Sequence, residues 1–100
     1  MEFIVMAYDA TDEEALKRRL DIRPAHMAQG EKMLAEGKYR FGAALLNDEE
    51  KIIGSMIVAD FASRDELNAW LEIEPYVTGH VWEKIEVTPC RIGPRFGGRL

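Results

Sequence analysis

Residues 39–61, YRFGAALLNDEEKIIGSMIVADF, decide the fold. Tyr39 to Leu46 reads as a strand, Asn47-Asp48-Glu49-Glu50-Lys51 as a polar turn, and Ile52 to Phe61 as the next strand, so the two form a hairpin. Upstream, Phe3 to Tyr8 is a short, nearly continuous apolar run, the signature of a strand covered on both faces. Asp9-Ala10 breaks it. Thr11 with Glu14 three residues on forms a capping box that opens a short helix through Leu20. Arg23-Pro24 then restarts the chain, since proline suits a first helical turn where its missing N–H goes unused. The helix that follows runs to Glu36 and stops at Gly37. Its core stripe is Met27, Gly30, Met33 and Leu34.

Downstream of the hairpin, Ser63 with Glu66 makes a further capping box, and Leu67, Trp70 and Leu71 line the buried side of a second long helix. Glu74-Pro75 ends it, because a residue before proline avoids helical geometry. Val81 to Val87 alternates apolar with polar, as a half-buried strand does. The order is β-α-β-β-α-β, an α+β, ferredoxin-like arrangement. Two right-handed crossovers place both helices on one face of an antiparallel sheet. The other face is bare in a monomer, so a homodimer is expected. The 100 residues suit one domain, with residues 91–100 as an extended C-terminal arm.

Composition narrows the function classes. The chain is 47% hydrophobic and 31% charged, neither disordered nor membrane-like. A net charge of −5 argues against nucleic-acid binding, which needs a basic surface. The one basic cluster, Lys17-Arg18-Arg19, follows Asp12-Glu13-Glu14 and reads as a solvated helix face with opposite charges a turn apart. A single cysteine, Cys90, allows no internal disulfide and fits a reducing compartment. The first residues lack a basic n-region, and Asp9 interrupts the apolar run too early for a signal peptide. No stretch approaches the roughly 18 apolar residues of a membrane span. A cytoplasmic protein without membrane attachment is the expectation.

The topology brings chemistry-bearing residues together. The first strand ends where the first long helix begins, and the second helix ends at that same edge. Asp9, Arg23, His26 and Glu74 therefore gather at one end of the sheet, with Tyr76 to His80 leading in. An imidazole with carboxylates and a guanidinium is an acid–base constellation. His26 is the candidate general base or acid, with Gly30 leaving open space beside it; before any resemblance is considered, the position suits a helix-edge histidine with one satisfied hydrogen bond slightly better. Glu74 or Asp9 orients its ring. Alone, Glu74 also reads as a solvated helix end and Asp9 as a turn former. Arg23 is suited to clamp a substrate carboxylate. Trp70, Trp82 and the methionines read as core. His26 and His80 lack ligand spacing and there is no Cys/His cluster, so no metal is expected. Phosphate-cradle, dinucleotide and nucleophile-elbow motifs are absent from the sequence, so no cofactor is expected either.

Taken together, several segments resemble a known family. They are Ala7-Tyr8-Asp9, Lys17-Arg18-Arg19-Leu20 leading to Arg23-Pro24-Ala25-His26, Glu36-Gly37-Lys38, Gly54-Ser55, Pro75-Tyr76-Val77 and Val87-Thr88-Pro89. Over nearly its whole length the chain resembles the YciI-like proteins of the YCII-related domain family. The resemblance implies a ferredoxin-like fold assembled as a dimeric α+β barrel, with a histidine/aspartate-centred active site whose histidine maps onto His26. Asp9 is retained, whereas the family's usual Asp-Pro stands here as Glu74-Pro75. The activity the family implies is a dehydrochlorinase-like elimination on chlorinated hydroxyquinols, and similar barrels include muconolactone isomerases and small monooxygenases.

Two functional expectations follow. In the first, the protein is a small-molecule lyase or isomerase in which His26 moves a proton, Asp9 or Glu74 orients it, and Arg23, Ser55 and Tyr76 hold the substrate. In the second, it is a non-catalytic dimeric module that binds a small ligand or a partner protein.

Overall fold

The first strand sets the layering. Along β1 (Glu2–Asp9), Phe3, Val5 and Ala7 are buried while Ile4 and Met6 are half-buried, a period of two that gives the sheet one inner and one outer face. A computed structural model of the chain describes residues 1–99. The last position of the expected arm, Leu100, lies outside the described residues. The elements that follow are α1 (Ala15–Ala35), β2 (Tyr39–Leu46), β3 (Ile52–Asp60), α2 (Arg64–Ile73), the single turn α3 (Pro75–Thr78) and β4 (Trp82–Cys90).

The strands lie in the order β2-β3-β1-β4, every neighbouring pair antiparallel. Each strand–helix–strand unit thus straddles a strand of the other, which is the ferredoxin-like α+β fold. In register, Val5 faces Ile57 and Val87, while Ala7 faces Ser55 and Ile85. These share the inner face, where Met33, Leu67, Trp70 and Tyr76 from the helices close a single core. The outer face carries Ile4, Met6, Met56 and Val58, with Phe41 61% exposed among them. β1 is covered on its inner face by the helices, and its outer face is left part-open in one chain. Pro89 is accommodated because β4 is an edge strand.

Three local expectations are corrected. The two helices expected on either side of Arg23-Pro24 are one continuous helix with Pro24 inside it. Proline removes a donor from an interior turn. Here both Pro24 and Leu20, whose carbonyl loses that donor, are exposed, so water can take the freed group. The Thr11 capping box is not formed. Instead the Asp12 carboxylate accepts the Glu14 N–H at 3.2 Å and pairs with Arg18, and α1 starts at Ala15 with Glu14 at its N-cap, three residues later than expected. The expected core stripe of α1 is also rotated. Met33 is buried, but Met27 and Leu34 are 46% and 64% exposed, and the sheet-facing positions are Arg19, Ile22, His26 and Met33. Two of these positions, Arg19 and His26, are held there by polar contacts to Asp9 and Glu74.

Other signals hold. Gly37 stops α1 with φ +75°, a conformation that glycine adopts without a Cβ penalty. Ser63 caps α2 by accepting the Glu66 N–H at 3.2 Å. The arm, expected as extended, carries a single 3-10 turn at Pro94–Phe96 and is tethered: the Ile92 N–H donates to Glu2, Arg40 reaches the Gly97 carbonyl, and Arg99 pairs with Asp60.

The Asp12–Arg18 pair makes α1 sensitive to acid. The Arg18 guanidinium, helped by the Glu14 N–H, lowers the Asp12 carboxyl from 3.8 to about 2. A carboxyl depressed in the folded state stabilises it fully above the unfolded value and loses that contribution as pH falls. Asp12→Asn should therefore lower Tm at neutral pH, with the difference from wild type vanishing between pH 3.8 and about 2. Because the pair is exposed, added salt should shrink the effect, and Thr11→Ala should leave Tm unchanged across the range.

Candidate active site

The site begins where β1 ends. A register irregularity between Tyr8 and Asp9 interrupts the pairing with β4. Such bulges re-aim side chains at the ends of sheets. Asp9 continues the inner-face series of Val5 and Ala7, and there it meets Arg19, which α1 lowers onto the sheet. The Arg19 Nη1 lies 2.8 Å from each Asp9 carboxylate oxygen, and Nη2 donates to the Ser55 hydroxyl at 3.0 Å. From the other side the Trp82 indole N–H donates to the same hydroxyl at 3.3 Å. Arg19 is 7% exposed and Ser55 6%, so this network is inside the protein rather than on a solvated helix face. The reading of Lys17-Arg18-Arg19 as wholly solvated holds for Lys17 and fails for Arg19. A buried guanidinium requires a buried counter-charge, and β1 supplies it.

Two turns along α1, His26 meets Glu74. The Glu74 side chain is fully buried, and one carboxylate oxygen binds His26 Nδ1. Its other oxygen accepts the Tyr76 backbone N–H at 2.5 Å, which makes Glu74 the N-cap of α3, with Pro75 in the first turn. The Glu74-Pro75 pair therefore both ends α2 and aims a carboxylate at the histidine. With Nδ1–H donating to the carboxylate, the ring presents Nε2 as its lone-pair nitrogen. The His26 ring stacks on Tyr76 at 3.9 Å with the planes 8° apart, and the Trp82 ring meets its edge at 5.8 Å. The Arg19 guanidinium lies over the Tyr76 ring at 4.9 Å, so Tyr76 joins the Asp9–Arg19 ion pair and the His26–Glu74 hydrogen bond into one cluster.

The cluster forms the inner end of a groove of about 530 Å³ between α1 and β2. Leu20, Met27, Ile52, Tyr39 and Gly30 line it with largely apolar surface, and His26, Ser55 and Arg23 contribute its polar groups. Arg23 is exposed there and has no ion-pair partner among the described residues. Tyr76 is shifted upward by burial, with the charges of Arg19 and Arg23 opposing the shift. Tyr39 is pushed up too, by burial first and then by the negative charge of Glu74. An apolar groove ending in a few convergent polar groups is the usual form of a small-molecule site. Among the described residues no three His, Cys, Asp or Glu side chains cluster as metal ligands would.

Of the six residues singled out in the sequence, Glu74 and Tyr76 join His26 directly, and Ser55 and Arg23 line the same groove. Asp9 lies in the cluster but is held by Arg19, so the carboxylate on His26 is that of Glu74. Arg19 and Trp82 were not singled out. A signal for Arg19 existed in the helical spacing from Arg19 to His26, which puts both on one face of a continuous helix. Placing a helix break at Pro24 hid it.

A family model for the YCII-related domain matches residues 1–91. Protein YciI of Escherichia coli and Protein YciI of Shigella flexneri are each 32% identical over 97 residues, covering 91% of this chain and 97% of the relative. Among solved structures, 5-chloro-2-hydroxyhydroquinone dehydrochlorinase (TftG) from Burkholderia phenoliruptrix, in complex with 2,5-dihydroxybenzoquinone, superposes with a TM-score of 0.79. That likeness covers 95% of this chain and 98% of the dehydrochlorinase at 23% identity, and it shows a shared fold.

Proposed function

The chain belongs to the YCII-related family, and from that premise we propose that it is a cytosolic small-molecule lyase or isomerase working by acid–base chemistry at His26. The observation that carries the proposal is the fully buried Glu74 carboxylate bound to Nδ1 of His26, a residue that also lines an apolar groove, which leaves Nε2 as the nitrogen available to a ligand. A carboxylate on one imidazole nitrogen fixes the tautomer and stabilises the imidazolium formed when the other nitrogen takes a proton. In an elimination of the dehydrochlorinase kind, the substrate proton passes to Nε2, the electron pair it leaves forms the new π bond, and the C–Cl electron pair leaves with chloride. In an isomerisation, Nε2 returns the proton to another atom. Neither route needs a group that the chain does not carry. The apolar walls and the stacked His26–Tyr76 pair suit a flat ring, and Arg23 and Ser55 supply its polar contacts.

The active form in this proposal is a homodimer in which a second copy covers the outer face of the sheet. Ile4, Met6, Met56, Val58 and Phe41 form an apolar surface there, bordered on β4 by Lys84 and Glu86. Burying such a face is worth about 25 cal/mol per Å² of apolar area, and closing the sheet against a copy of itself uses the same patch twice.

Substituting His26 by Ala should lower turnover of a chlorinated hydroxyquinol by about 10²–10⁴-fold while the circular dichroism spectrum stays that of wild type. Full activity in that variant would refute the role. Sedimentation equilibrium should give twice the chain mass for wild type and a single chain mass for Met56→Lys; a wild-type monomer at micromolar concentration would refute the dimer.

A further inference from the structure

The hydrogen-bond count at Ser55 carries a conclusion about what the groove accepts. A serine hydroxyl has two lone pairs and one proton. Arg19 Nη2 and Trp82 Nε1 can only donate, and both donate to Ser55 Oγ, at 3.0 and 3.3 Å. Both lone pairs are therefore occupied. The hydroxyl proton has no acceptor among the described residues, and Ser55 lines the groove that His26 also lines. Neither donor is free to turn away. Asp9 holds Arg19 through both of its oxygens, and the Trp82 ring is packed against the edges of His26 and Tyr76.

We propose that Asp9, Arg19 and Trp82 lock Ser55 as a donor-only hydroxyl facing the groove, so that the site selects a ring compound bearing an acceptor oxygen, a carbonyl or a phenolate, and holds that oxygen as it gains negative charge. This rests on the acid–base reading of His26. When Nε2 takes a proton from an O–H or C–H of the substrate, the electron pair left behind moves to the ring oxygen, which accepts the Ser55 hydrogen bond. Proton and charge balance without any co-reactant. A hydroxyl that already accepts from a guanidinium is a stronger donor than a free one, and fixed donors aimed at a developing oxyanion are an effective way to stabilise it. Asp9, Arg19 and Trp82 act as positioning residues in this scheme, and Ser55 is the group that touches substrate. A ligand offering only a donor at that point would meet a second donor and leave both unpaired.

The test uses 2,5-dihydroxybenzoquinone as an acceptor-rich coloured probe and toluene as a ring without oxygen. Wild type should bind the quinone, with its visible absorption band shifted by the hydrogen bond. Ser55→Ala should bind it about 10- to 100-fold more weakly, the usual effect of losing a hydrogen bond to a charged group, and should abolish the band shift. Toluene affinity should be the same in both proteins. Equal quinone affinity and an equal band shift in wild type and Ser55→Ala would overturn this proposal while leaving the His26 reading intact. A wild-type protein that binds neither probe would overturn the ring-pocket reading and this proposal with it. Should Ser55→Ala fail to fold, Ser55→Cys, close in size and a weaker donor, should show an intermediate loss, and wild-type behaviour in that variant would equally overturn it.

Discussion

A carboxylate without solvent contact must bind donors with both oxygens, and Glu74 meets that requirement in a way that organises the rest of the site. One oxygen caps the short turn α3 and the other binds His26 on α1. The end of α2, the start of α3 and the middle of α1 are thereby held at one point. Tyr76, whose backbone N–H is one of the two donors, lays its ring against the imidazole held by the other. Removing the carboxylate would leave a buried N–H unpaired and free the ring, and an unsatisfied buried donor typically costs about 1–3 kcal/mol. The same contact that stabilises the fold therefore positions the candidate base.

A second buried pair, Asp9–Arg19, performs the matching task at the other end of the cluster. The two pairs sit on either side of Pro24 in α1. A proline inside a helix costs about 3 kcal/mol or more, and α1 runs on through it with one half held to the sheet by Arg19 and the other held to the α2–α3 junction by His26. The pinning also explains the rotation of the helix. With Arg19 and His26 turned inward, Leu20, Met27 and Leu34 turn outward, and together with β2 they wall the groove instead of filling the core. The groove is thus a consequence of how the charges are paired.

This history explains what could be read from the sequence. The hairpin from Tyr39 to Asp60, the capping of α2 by Ser63 and the Gly37 stop depend on local chemistry, and they appear as expected. The gathering of His26, Glu74 and Tyr76 follows from topology once the element order is known. The choice between Asp9 and Glu74 did not follow, because it depends on which carboxylate Arg19 takes, and Arg19 looked like one of three equivalent basic residues. The helix break at Pro24 and the Thr11 cap failed for a related reason. Each was a sound local preference, and each was overridden by a contact across the chain, the paired helix face in one case and the Asp12–Arg18 bridge in the other. Residue types predict such overrides poorly, because a buried pair is visible only when both partners have been placed.

Glu74 fixes neutral His26 with its proton on Nδ1 and its lone pair on Nε2. Nitrogen-15 NMR of the neutral imidazole should show a protonated, pyrrole-type shift for Nδ1 and a pyridine-type shift for Nε2 in wild type. In Glu74→Ala, where the acceptor is gone, that single tautomer should be lost. A wild-type His26 protonated on Nε2, or one averaging equally between tautomers, would refute this role of Glu74.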